Sequence, residues 1–157
     1  MSLGVVDVGG TTNIKLIIYD NELNQGGYSE TINVPMLFPG NYYVEQDANA
    51  LRSAFRHLVN TARDKGVKYL GISTYRASII AWDKSGNPPL INIITWLDRR
   101  GGLEVVNGFP CSLMRRLPLL SSILIPTSPV TQILWLLRHR QDLIERVRKG
   151  GRRSLVR

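Results

Sequence analysis

The stretch GVVDVGGTTNIKLIIYD, Gly4 to Asp20, decides how the fold is read. Gly4–Asp7 and Ile14–Tyr19 are short, apolar and rich in β-branched residues, the composition of strands. Gly9-Gly10-Thr11-Thr12-Asn13 between them has turn chemistry, so the pair reads as an antiparallel hairpin with both strands at least half-buried. Asn21 to Gly27 is a second polar turn. Tyr28, Glu30, Ile32 and Val34 then alternate with Ser29, Thr31 and Asn33. That period of two predicts a third antiparallel strand, at a sheet edge. Pro35, Pro39 and Gly40 make a loop.

Further along, Asp47 has the side chain of a helix N-cap. Leu51, Ala54, Phe55, Leu58, Val59 and Ala62 follow at helical spacing and form one apolar stripe. Gly66 supplies the helix stop, because glycine takes the left-handed conformation at little cost. Lys68 to Thr74 is expected to be a strand, and so is Ala77 to Asp83. Ser85-Gly86-Asn87-Pro88 turns the chain, and Leu90 to Trp96 is a strand or extended segment. Leu103 to Leu120 is expected to be helical in pieces. Pro126 and Pro129 bracket a helix start, and Val130 to Val147 reads as one helix, with Leu134, Leu137, Ile144 and Val147 among its apolar positions. Three antiparallel strands, a helix and a returning strand specify an α/β layer fold with a mixed sheet. Ribonuclease H-like and actin-like ATPase domains begin in this order.

Composition narrows the function classes. The 157 residues suit one domain of ordinary size. No apolar run approaches the ~18 residues of a membrane span, and no secretory pattern is present. Cys111 is the only cysteine, which excludes an internal disulfide and fits a reducing cytoplasm. Arg138 to Arg157 holds eight Lys/Arg against two acids, and so carries +6 of the net +8. Cations at a helix C-terminus are favoured by its dipole. The aromatics lie elsewhere, so nucleic acid is not the expected partner. His57 and His139 each stand alone on a helix, without the nearby Cys/His partners of a metal site.

The turn after Asp7 is neither a P-loop nor a dinucleotide fingerprint: no Gly-Lys-Ser/Thr follows, and G-x-G-x-x-G is absent. Glycines let the backbone approach a bulky anion, and successive N–H groups in a turn form an anion-binding hollow. Thr11 and Thr12 add hydroxyls, Lys15 adds a positive charge, and Asp7 is placed to hold Mg²⁺ through water. The competing reading is a glycine-rich hairpin whose threonines satisfy their own backbone. A second stretch, GISTYRASIIAWDKSGNPPLINIITWLDRRG, spans Gly71 to Gly101. Arg76 there follows a buried-looking strand, and its fork suits hydroxyls or a carboxylate. Trp82 and Trp96 serve either as core or as faces for a polyol's carbon skeleton. Asp98, Arg99 and Arg100 either belong to a site or cap a helix and pair with each other.

Together these segments resemble the N-terminal domain of the FGGY carbohydrate kinases, most of all the glycerol kinase-like members. Those proteins carry D-x-G-T-T-S, then a segment like G-I-T-N-Q-R-E-T, then W-D, then G-x-P-x-x-N-A-I-x-W-x-D-R-R. This chain has Gly71-Ile72-Ser73-Thr74-Tyr75-Arg76, Trp82-Asp83, and Gly86-Asn87-Pro88-Pro89-Leu90-Ile91-Asn92-Ile93-Ile94. It continues with Trp96-Leu97-Asp98-Arg99-Arg100, and Tyr43-Val44-Glu45-Gln46-Asp47 is similar to the family's W-V-E-x-D. The resemblance implies a ribonuclease H-like, actin-like ATPase fold and ATP-dependent transfer of the γ-phosphoryl group to a sugar or polyol hydroxyl. It implies that Gly10, Thr11, Thr12, Asn13 and Lys15 meet ATP and that Asp7 organises Mg²⁺. Arg76, Trp96 and Asp98 would hold the substrate.

Departures accompany the likeness. Gly9-Gly10 makes the turn one residue longer than D-x-G-T-T. Ala77 stands where glycerol kinases have a substrate-binding glutamate, and Thr127 where they have a tyrosine; both count against glycerol itself. Family chains are much longer, and their catalytic base and adenine-binding domain have no counterpart here. The expectation is therefore a partial kinase N-terminal domain, 1–150, followed by a basic tail, 151–157, outside the family pattern. It would be a truncation, a frameshift remnant or half of a split enzyme, inactive as this chain alone. The alternative is a non-catalytic binding or scaffold module that self-associates through unfinished sheet edges. A ribonuclease H-like nuclease is disfavoured, because Asp7 has no obvious acidic companions for a two-metal site.

Overall fold

The computed structural model describes residues 2–10, 12–20, 25–82 and 89–152. Strands β1 (Leu3–Asp7), β2 (Asn13–Tyr19) and β3 (Gln25–Asn33) are successive antiparallel partners. Helix α1 (Ala48–Asp64) returns the chain to β6 (Tyr69–Ser73), which lies parallel to β1. The sheet order is β3-β2-β1-β6, so it is mixed and β3 is an edge, as the alternation in its sequence requires. Shorter strands β4 (Met36–Leu37), β5 (Glu45–Gln46) and β7 (Ile93–Ile94) form a second sheet in the order β4-β5-β7.

Two compact units emerge: residues 1–36 with 46–76, and residues 37–45 with 77–157. In the first, Val6, Val8, Ile14, Leu16 and Val34 pack against Ala54, Leu58 and Ala62 of α1. The stripe therefore faces the sheet as its spacing predicts. Asp47 Oδ1 accepts from the N–H groups of Asn49 (2.8 Å) and Ala50 (3.0 Å), and Gly66 ends the helix at φ +72°. The polar edge of β3 is tied to α1 by Glu30, which pairs with His57 Nε2 at 2.7 Å and accepts from the Tyr28 hydroxyl at 3.0 Å. The His57 contact outweighs burial and holds the Glu30 carboxyl below its ordinary range. A depressed carboxyl contributes stability above the unfolded value, near pH ~4.3, and loses it as pH falls through the folded one. Glu30→Gln is therefore expected to lower the melting temperature slightly at neutral pH, with the gap closing as pH falls through the depressed folded value. Thermal scans across that range check it; a constant gap at all pH values refutes it.

The second unit holds α2 (Arg100–Asn107), the single turns α3 (Cys111–Met114) and α4 (Pro118–Ser121), then α5 (Pro129–His139) and α6 (Gln141–Arg152). Val105, Cys111, Leu124 and Trp135 form its core. Helix in pieces after Leu103 is what the sequence predicts. Two other expectations are corrected. Ala77 to Asp83 is not a strand over its described residues: Ile79 and Trp82 make only isolated bridges, to Ile94 and Pro89. Val130 to Val147 is two helices, because Arg140 leaves helical geometry (φ −121°, ψ 67°). Arg140 N–H closes α5 on Leu136 O, and its carbonyl accepts from Leu143 N–H at 3.1 Å as α6 begins. Asp142, in the first turn of α6, pairs with Arg140 at 2.8 Å. The Ser85–Pro88 turn lies outside the described residues.

Candidate functional site

The turn after β1 sits at the carboxyl end of the parallel β1–β6 pair, the edge where open α/β sheets bind ligands. Asp7 is the register partner of Lys15 on β2 and of Ser73 on β6. Paired residues share a face of the sheet, so Asp7, Lys15 and Ser73 lie together on the side opposite buried Val6 and Leu16. Asp7 is exposed, and its Oδ1 accepts from the Gly9 N–H at 2.9 Å, which folds the turn back on the strand. Among the described residues, no donor reaches its other oxygen and no acceptor takes the Gly10 N–H. A Cβ on Gly10 would stand 2.8 Å from the Asn13 carbonyl oxygen, so the tight return requires glycine there. Thr12 gives its carbonyl to Val34 N–H at 2.7 Å. The Asn13 side chain accepts from Asn33 Nδ2 at 3.2 Å, a cross-strand bond of the hairpin. Thr11 lies outside the described residues.

Arg76 belongs to the same unit and the same edge, three residues beyond the end of β6, and is exposed. The residue before it is anchored in a way the sequence did not reveal. Gln46, fully buried, donates from Nε2 to Val34 O and accepts at Oε1 from the Tyr75 hydroxyl, each at 2.5 Å. Burial pushes the Tyr75 phenol up; the Gln46 bond opposes this, and the charge of Asp7 adds to the rise. Tyr75 thus stands within electrostatic reach of the Asp7 turn.

Trp96 and Asp98 belong to the second unit. Trp96 is 43% exposed and Trp82 59%, so neither is a core residue. Asp98 is fully buried and heavily bonded. Its Oδ2 accepts from Val44 N–H (2.7 Å) and from Arg100 Nε and Nη2, while Oδ1 accepts from Arg100 N–H and Nε. The pairing alternative is the one these surroundings support. Arg100 also reaches Glu45 Oε1 at 2.6 Å, and Asn92 Nδ2 donates to Glu45 Oε2 at 2.9 Å. The guanidinium lies 4.2 Å from the Tyr43 ring centroid and 5.3 Å from that of Trp135. Burial would lower the Arg100 pKa, but the bonds to Asp98 and Glu45 prevail and it lies above its ordinary value. This cluster unites two motifs that the sequence showed only as separate strings, Tyr43-Val44-Glu45 and Asp98-Arg99-Arg100.

Among the described residues, no group of three or more His, Cys, Asp or Glu gathers as a metal cage, and no helix is long and apolar enough to cross a membrane.

Comparison with known proteins places this arrangement. A glycerol kinase of Allorhizobium ampelinum is 26% identical over 155 residues, covering 90% of this chain and 30% of that protein. Glycerol kinase 5 of Gallus gallus is 36% identical over 115 residues, 69% of this chain and 22% of that protein. The crystal structure of Plasmodium falciparum glycerol kinase with ADP matches with a TM-score of 0.76 at 24% identity, over 95% of this chain and 31% of that one. The fold is thus the actin-like one of the sugar kinases, and the chain spans about 30% of the length of relatives that match nearly all of it. Residues 2–154 match the FGGY family of carbohydrate kinases, N-terminal domain, and the chain belongs to that family.

Proposed function

We propose that this chain supplies the phosphate-gripping and hydroxyl-binding elements for ATP-dependent phosphorylation of a sugar or polyol. The observation that carries the reading is the turn at the carboxyl end of β1: an exposed Asp7 carboxylate with one oxygen unengaged, beside a Gly10 N–H with no acceptor, both among the described residues. These fit a hydrated Mg²⁺ and a phosphate, since magnesium keeps several waters and takes only one or two protein carboxylates. Magnesium bound there would neutralise charge on the transferring phosphoryl group. Lys15, on the same face, adds a fixed positive charge. The Thr12 hydroxyl is close enough in sequence to donate to the same anion. Arg76, on the same edge, offers a fork for substrate hydroxyls. Asp98 shapes the segment that follows Trp96, through Arg100 and Val44. Such transfer depends on position and charge more than on covalent chemistry.

Amide NMR of the 157-residue chain tests this. Millimolar Mg·ADP is expected to shift Gly9, Gly10, Thr12 and Lys15, and Asp7→Asn to remove the magnesium-dependent part. Xylulose is expected to shift Arg76, and glycerol to shift it less, since Ala77 and Thr127 count against glycerol. Spectra in which Mg·ADP moves residues elsewhere and leaves Gly9–Lys15 unchanged would sink the proposal.

A further inference from the structure

Arg76 stands between two backbone constraints. On one side, Tyr75 is bonded through its hydroxyl to Gln46, and Gln46 in turn to Val34 O. Three segments distant in sequence therefore converge on one fully buried amide. Its donor and its acceptor both have partners, and such a network is rigid because breaking any bond strands a buried polar group. Tyr75 also packs against the core of the first unit. On the other side, Ala77 adopts φ +58°, a region that disfavours any residue with a Cβ. Such strain persists only where the surroundings over-determine it, and it gathers at ligand clamps. Tyr75 stands where the related segment quoted above has glutamine, so the phenol-to-Gln46 bond is a feature of this chain's own sequence.

We propose that Gln46, Tyr75 and Ala77 are positioning residues that hold the Arg76 backbone in its binding conformation before a ligand arrives. This rests on the reading of Arg76 as the side chain that meets substrate hydroxyls. Ordering the backbone of one residue on binding costs roughly tenfold in affinity, and a segment ordered in advance avoids that loss.

Two variants separate positioning from mere support. Tyr75→Phe removes the hydroxyl and leaves the ring. Ala77→Gly relieves the strained φ and is expected to leave the melting temperature unchanged or raised. Both are expected to loosen Arg76: its backbone order parameter should fall from about 0.85 to below about 0.6. Affinity for xylulose, read from NMR shifts, should weaken about tenfold in each. A merely structural role predicts no loosening in Ala77→Gly, whose fold is not weakened. An Arg76 that stays rigid in either variant overturns the proposal. An Arg76 that loosens as expected, but that polyols never shift even in the wild-type chain, upholds the positioning and refutes the substrate reading instead.

Discussion

Replacing Arg100 by methionine is expected to cost about 3–5 kcal/mol of unfolding free energy. Its side chain is 6% exposed, that of Asp98 0% and that of Glu45 16%, so two carboxylates share one cation out of reach of bulk water. Asp98 receives four hydrogen bonds from Arg100, counting its backbone N–H, and one from Val44. Methionine fills much of the volume and keeps an apolar contact with Tyr43 and Trp135. The loss is therefore the charge and the fork, and its main part is the penalty of two buried anions left facing each other. Arg100→Lys restores the charge but cannot reproduce the fork that serves Asp98 and Glu45 together, and should recover only part of the loss. The double variant Glu45→Gln/Arg100→Met should be more stable than the summed single effects predict, because one orphaned charge is gone. Urea unfolding followed by tryptophan fluorescence suits the measurement, since Trp82, Trp96 and Trp135 all lie in the second unit. A cost below about 1 kcal/mol for Arg100→Met would mean that the cluster behaves like a surface ion pair.

What the sequence revealed and what it hid divide along a physical line. The hairpin, the edge strand and α1 were legible because their signals are local. Alternation in β3, the stripe from Leu51 to Ala62, the Asp47 cap and the Gly66 stop each act within a few residues. The second unit obeys less local rules. Along α5 one expected apolar position misleads: Leu134 packs against the second core, but Leu137 is 51% exposed, while Thr131 and Gln132 are fully buried. Thr131 finds its acceptors within six residues, while the Gln132 amide N–H groups find theirs more than thirty residues away; Gln132 Oε1 has no partner among the described residues. Thr131 donates to Ile125 O at 2.9 Å, and Gln132 donates to Thr95 O at 3.1 Å. Hydropathy cannot report a partner 37 residues away. The site divides the same way. The Asp7 turn was visible as glycine and carboxylate chemistry. Gln46 was not, since nothing in Glu45-Gln46-Asp47 says that one side chain will bridge Val34 and Tyr75. Asp98 was visible as an acid with pairing to its neighbouring arginines as one reading, but its bond from Val44 appears only once α2 and the Tyr43 segment are folded together.

Gly102→Ala sets two rules against each other, and the structure decides the sign. Helix propensity alone predicts a gain, since alanine is favoured over glycine inside a helix by about 1 kcal/mol. The coordinates predict a loss of about 3 kcal/mol or more, the upper end of overpacking. A Cβ at Gly102 would lie 1.9 Å from Pro126 Cβ and 2.2 Å from Pro126 Cα, and Gly101 is nearly as crowded, with its Cβ 2.6 Å from Thr131 O. No flexible side-chain tip can swing away here. The obstacles are a proline ring and main chain, so α2 and the segment leading into α5 would have to separate. Trimming the ring does not help either: Pro126→Gly removes the nearer atom and leaves the Cα in the way. Gly66→Ala is the informative contrast. No atom lies within 4 Å of its added Cβ, and only the left-handed φ of +72° opposes it, so the expected cost is about 1–2 kcal/mol. If close approach of backbones is what the glycine pair of α2 exists to allow, Gly102→Ala must be the more damaging of the two by at least about 1 kcal/mol, despite sitting where alanine is otherwise preferred. Equal or reversed costs in urea unfolding would show that α2 and the Pro126 segment have room to move apart, and the glycine pair would then need another explanation.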